Sequence, residues 1–127
     1  MLDLIEKSER YRKEFLIILS VFCLSGAGIH LADILGFRNR FDELSPAWQI
    51  ATVYLIIMDV LAAVGNLMEA RWGSAAYVLV SVPQIIAYTV FSGTFGEHSF
   101  LLILHSIFVA LLFCFSLSRM VAPHPER

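Results

Sequence analysis

Asp59 is the residue of this 127-residue chain whose type and setting most invite chemistry. It stands about midway along an apolar run, Trp48–Leu67, where an ionised carboxylate is costly unless something pairs with it. Thr52, Asp59 and Asn66 recur at seven-residue spacing, with Ala62 and Ala63 nearby. Seven residues return a helix to nearly the same face, so these groups form one stripe. Lipid satisfies no polar group, so the stripe should face other helices. Two roles fit it. One is a protonatable site in a transport or redox path. The other is a protonated Asp59 that hydrogen-bonds a neighbouring helix and holds a bundle together.

A second stripe, Tyr77, Ser81, Gln84 and Tyr88, matches the first in the next apolar run. Pro83 sits beside Gln84, removing a backbone donor and bending that helix. Asp59 and Gln84 lie at similar depth, which predicts a hydrogen bond between them. The alternative is that Pro83 frees a backbone carbonyl for a ligand or ion, as in broken transporter helices. His30 and His105 are each placed a little inside an outer end of their runs. They are expected to approach one another with Tyr88, because first and last helices of a closed four-helix bundle are neighbours. Asp33, three residues beyond His30, stands where it would orient the imidazole while remaining wet at the outer interface.

Two intramembrane histidines could hold haem or quinone, with Gly26 and Gly28 leaving room for a flat ring. Polar packing is the simpler reading, so no cofactor is expected and haem or quinone is the alternative. No glycine-rich phosphate loop, zinc motif or nucleophile elbow is present, hence no catalytic or metal site. The candidates for binding a ligand or proton are therefore Asp59, Gln84, His30, His105 and Tyr88.

The elements that must position them are four apolar stretches, Phe15–Leu35, Trp48–Leu67, Ala75–Phe91 and Phe100–Leu117. A hydrocarbon core of about 30 Å needs roughly 20 helical residues. Hydrophobic residues make up 58% of the chain and charged ones 16%, where ordinary globular domains are about a quarter charged. The net charge of −2 argues against nucleic acid as a partner. Cys23 and Cys114 fall inside the stretches and read as small apolar residues. Ser20, Cys23, Ala27 and His30 form a stripe on the first stretch, and Gly28 with Ala32 makes a small-xxx-small pair suited to close helix contact. Phe108, Phe113 and Phe115 read as lipid-facing or packing groups.

Lysine and arginine are divided seven against two between the two sides of such a bundle, which puts both termini in the cytoplasm. The richer side holds Lys7, Arg10, Arg12, Lys13, Arg71, Arg119 and Arg127; the other holds Arg38 and Arg40. Residues 1–14 read as an amphipathic leader at the cytoplasmic surface, 15–118 as the transmembrane domain and 119–127 as a cytoplasmic tail. The first apolar run continues past Ser25-Gly26-Ala27 to Leu35, so it reads as an uncleaved span. Ser45-Pro46 is an N-cap and first-turn proline. The short connection Glu69–Gly73 makes the second and third helices antiparallel neighbours.

The stretch Met58-Asp59-Val60-Leu61-Ala62-Ala63-Val64-Gly65, with Arg71 and the third span, resembles the second and third helices of DoxX-like proteins, small four-span bacterial membrane proteins. The layout is also similar to that of other uncharacterised four-span bacterial families. The resemblance implies a membrane bundle and, from some relatives, a redox or quinone role. The first span departs from the pattern, with Gly28-Ile29-His30 where a glycine followed by a lysine would stand.

The expectation is an all-α polytopic membrane protein, an antiparallel bundle of four transmembrane helices in the bacterial inner membrane. Its partners would be the lipid bilayer and a second copy or another membrane protein. Its role would be that of a non-enzymatic accessory or interaction subunit. The rivals are a redox-associated subunit and a small proton-coupled transporter using Asp59.

Overall fold

The computed structural model describes residues 1–38 and 40–121, with side chains described through residue 117. His124 and Arg127, and with them most of the expected tail, lie outside the described residues. Among those described the chain is all-helical, without strands. Its principal helices are α1 (Leu2–Ile34), α2 (Pro46–Leu67), α3 (Arg71–Thr89) and α5 (Ser99–Val121). A short helix, α4 (Ser92–Phe95), and a 3-10 turn at Phe41–Glu43 fill two connections.

Local chemistry sets the boundaries. α1 stops in a Schellman arrangement: Phe37 N–H bonds Ala32 O at 2.9 Å and Gly36 N–H bonds Asp33 O at 3.2 Å. That geometry needs the left-handed backbone Gly36 adopts, with φ of 78°. α2 begins as expected, with the Ser45 hydroxyl accepting from Trp48 N–H at 3.3 Å and Pro46 as its first residue. The leader is not a separate surface element. It runs without interruption into the first apolar stretch as one 33-residue helix, about 50 Å long at 1.5 Å per residue.

Paired contacts fix the helix directions. Gly26 meets Asp59, Ser20 meets Ala63 and Arg12 meets Glu69, so numbering falls on α1 as it rises on α2. In the same way Gly65 meets Gly73 and Tyr54 meets Leu79. Tyr77 meets His105 and Tyr88 meets His98. Each helix is thus antiparallel to the one before it. α1 reaches α5 through rings, Phe15 against Phe108 and Phe115, and Phe22 against Phe108 and His105. The core they enclose includes Leu16, Leu19, Leu55, Ala62, Ala63, Ala76, Val80 and Leu112.

The closest approach lies between α2 and α3. A Cβ on Gly65 would run into the Gly73 backbone, and one on Gly73 into that of Gly65, so only glycine fits on either side. At the same end, Arg12 is buried against the α2–α3 turn. Its Nη2 donates to Glu69 Oε1 at 2.7 Å and to Glu9 Oε2 at 3.0 Å, tying the basic leader to that turn.

Three helices among the described residues are long and apolar enough to cross a bilayer: α1, α2 and the Ser99–Leu117 part of α5. Such helices point to a membrane protein. α3 is not among them, since its 19 residues carry Arg71, Ser74, Tyr77, Ser81, Gln84 and Tyr88.

Candidate functional site

The two polar stripes read from spacing are both buried. Thr52, Asp59 and Asn66 line the inner face of α2, and Tyr77, Ser81, Gln84 and Tyr88 that of α3. What they touch departs from expectation in three respects.

Asp59 turns toward α1 rather than toward Gln84. Its Oδ2 would lie 2.9 Å from a Cβ on Gly26, so the missing side chain there makes room for the carboxyl. The Cys23 thiol, fully buried one turn earlier, interacts with it. Gln84 instead bonds within α3: its Nε2 donates to Val80 O at 3.3 Å, and Tyr88 donates to its Oε1 at 3.4 Å. The space at Gly26, expected to admit a flat ring, is occupied by Asp59. Gly28 has open space where a Cβ would go, so the Gly28–Ala32 pair is not a helix contact.

The carbonyl freed by Pro83 is already engaged. A proline at position 83 cannot donate to the carbonyl four residues earlier, Leu79. The Tyr54 hydroxyl of α2 donates to that oxygen at 2.5 Å. α3 runs unbroken through Pro83, and the one acceptor left open in its ladder is filled from a neighbouring helix. Tyr54 therefore serves α3, although it points away from the Asp59 stripe.

His30 and His105 are not brought together. His105 is 2% exposed, its Nδ1 2.9 Å from Tyr77 Oη and its ring 5.5 Å from Phe22. His30 is eight residues beyond Phe22, about 12 Å farther along α1. It is half-buried, and its Nδ1 has no hydrogen-bond partner. Asp33, expected at a wet interface, is 8% exposed and bridges Arg38 at 3.5 Å. Tyr88, expected between the histidines, packs edge-on against His98 at 4.6 Å.

Other polar groups are closed between helices. The Ser20 hydroxyl lies 2.7 Å from Leu16 O and 3.1 Å from Ala63 O of α2. Ser74 donates to Asn66 Oδ1 at 3.3 Å, while Asn66 Nδ2 is buried without a partner. No group of three or more metal-ligating side chains occurs among the described residues.

Spacing alone did not pair Tyr54 with Leu79 O, His98 with Tyr88, or Arg12 with Glu69. Only the first carried a usable signal, because the position four residues before Pro83 is legible in any helix.

The chain belongs to a family described as a family of unknown function (DUF6163), whose model matches residues 11–122, from the base of the leader through the last helix. The match takes in α1 from residue 11 onward, α2, α3 and α5, and with them both polar stripes. No curated protein and no solved structure matches the chain, and no comparison links it to DoxX-like proteins.

Proposed function

We propose that this chain is a four-span bundle in the bacterial inner membrane with both termini cytoplasmic, serving as a non-enzymatic accessory or interaction subunit. The observation that carries this reading is the pairwise closing of polar groups between helices. Tyr54 with Leu79 O, Ser20 with Ala63 O, Asn66 with Ser74 and Tyr77 with His105 each join two helices. Groups used this way fix packing where lipid competes for apolar side chains. The inward orientation of its polar side chains also lets the less apolar α3 sit within the bilayer, since they face protein. The Arg12–Glu69 contact keeps the basic leader and the α2–α3 turn at one end, in agreement with the seven-to-two division of basic residues.

Reporter fusions test the topology. Those after Arg127 and within Glu69–Gly73 should report cytoplasm, and one near Arg40 the outside. An external C-terminus would overturn it. Native mass spectrometry of the purified protein tests the accessory role: a second copy or a membrane-protein partner should be retained. A retained haem or quinone, seen by absorbance, would favour the redox alternative.

One observation favours a second reading, a small proton-coupled transporter. Asp59 is buried, and no lysine or arginine forms an ion pair with it among the described residues. A carboxyl in that position at mid-membrane is the usual form of a proton-carrying group. Proton flux into proteoliposomes, lost in Asp59→Asn, would support it; no flux above empty vesicles would remove it.

A further inference from the structure

Each of the four long helices contributes one buried polar or titratable side chain to a single cluster. Cys23 comes from α1, Asp59 from α2, Tyr77 from α3 and His105 from α5. Cys23 and Tyr77 are both fully buried. They pack in one core cluster, and Asp59 fills the space at Gly26, one turn from Cys23. The register that sets Gly65 against Gly73 and Tyr54 against Leu79 puts Asp59 level with Tyr77. Tyr77 Oη then lies 2.9 Å from His105 Nδ1. The cluster is closed by apolar or small groups: Gly26 beside Asp59, and Phe22 edge-on to His105. The described arginines nearest the membrane ends are engaged elsewhere: Arg12 with Glu9 and Glu69, Arg38 with Asp33, and Arg40 with Asp42 and Glu43.

We propose that these four side chains form one coupled proton-sharing cluster, in which the charge on Asp59 and the charge on His105 appear and disappear together. In the neutral form Asp59 is a carboxylic acid, and Tyr77 donates its hydroxyl proton to His105 Nδ1, which leaves the imidazole proton on Nε2. In the charge-separated form one proton has left Asp59 and one has been gained at His105 Nδ1. The imidazolium then donates to Tyr77 Oη, and the tyrosine O–H is released to point toward the Cys23–Asp59 side. No proton is gained or lost overall, and the net charge of the cluster is unchanged. Tyr77 acts by reversing its hydrogen bond. Groups interacting this closely titrate as a unit rather than singly.

This goes beyond both readings above. Packing needs only that each group be satisfied, and transport needs a path across the bilayer; sharing a proton needs neither. The low-dielectric interior makes an isolated charge costly, which favours two opposite charges arising together over either alone.

The test is isotope-edited infrared spectroscopy of the full chain in lipid, with the Asp59 signal identified by its loss in Asp59→Asn. The Asp59 signal should shift, or lose its carboxylate component, in His105→Gln and again in Tyr77→Phe, which keeps the ring and its packing. Reciprocally, the 15N chemical shifts of His105 should move in Asp59→Asn. Helix content and melting temperature show whether each variant is folded, and Tyr77→Phe carries the test if His105→Gln is not. An Asp59 signal identical in wild type and folded Tyr77→Phe, with His105 shifts unmoved in Asp59→Asn, would overturn the proposal. A coupled signal without proton flux would leave it standing and remove only the transporter.

Discussion

α3 and α5 have opposite characters, and the structure uses them in opposite ways. α3 is too polar to stand among the three helices long and apolar enough to cross a membrane, yet its Tyr77, Val80, Ser81, Gln84 and Tyr88 all face inward. α5 has the highest mean hydropathy of the chain, 2.6, yet only 11% of its apolar stretch is buried, against 33% for α1 and 39% for α2. In water this would be an inverted protein. In the proposed four-span bundle it is the stable arrangement, because hydrocarbon accepts the side chains of α5 at no cost and rejects those of α3. The membrane interior sorts these helices by what lipid cannot satisfy rather than by what water expels.

The sharpest way to break the comparison is to disturb the surface that holds α3 in place. Gly73→Val would drive a side chain into the Gly65 backbone, where a Cβ alone already collides with the Gly65 carbonyl carbon. The expected cost lies at or above the top of the roughly 1–3 kcal/mol range for overpacking. Thermal unfolding in detergent should show little folded protein. Gly28→Val, where a Cβ meets nothing, should melt like wild type and so sharpen the contrast.

Removing polar links should cost less. Tyr54→Phe leaves the Leu79 carbonyl, already deprived of a donor by Pro83, without its hydroxyl. Tyr77→Phe leaves His105 Nδ1 without its partner. Interhelical hydrogen bonds in membranes are worth about 0.6 kcal/mol on average and rarely above about 1.7. Tyr54→Phe should fall near the upper end, because a backbone carbonyl in lipid has no alternative partner. Its melting temperature should lie below that of Thr89→Val, which removes a hydroxyl bonded within its own helix to Ile85 O.

The smallest effect belongs to the outer face of α5. Ile103→Ala and Phe113→Ala truncate side chains that are 61% and 64% exposed. Each should change stability in lipid by no more than about 0.5 kcal/mol. A loss several times larger, appearing only when the protein concentration is lowered, would mean that a second copy covers this face.

Much of the fold was legible because period and composition carry it. The stripe Thr52–Asp59–Asn66 and the stripe Tyr77–Ser81–Gln84–Tyr88 were readable from spacing, and all seven side chains are buried. The cap at Ser45 and the antiparallel α2–α3 hairpin followed from local residues. Partner choice was not legible. Asp59 faces Gly26 and Cys23 instead of Gln84 because a stripe gives the face of a helix but not its rotation against two neighbours. His30 missed His105 because depth was counted from the ends of apolar runs. α5 in fact sets His105 level with Phe22. The leader was read as separate because its charges end the apolar pattern, although nothing in residues 1–14 breaks a helix.

The most direct test of this account is the oxygen accessibility of nitroxide spin labels in lipid bilayers. Labels would be placed one at a time at Ile103, Ile107 and Leu111 of α5 and at Ala76, Val80 and Ser81 of α3, in a chain lacking Cys23 and Cys114. Oxygen concentrates in hydrocarbon, so the α5 labels should be several-fold more accessible to it than the α3 labels. The reverse order, or equal accessibility on the two helices, would contradict the placement of α3 inside and α5 at the lipid.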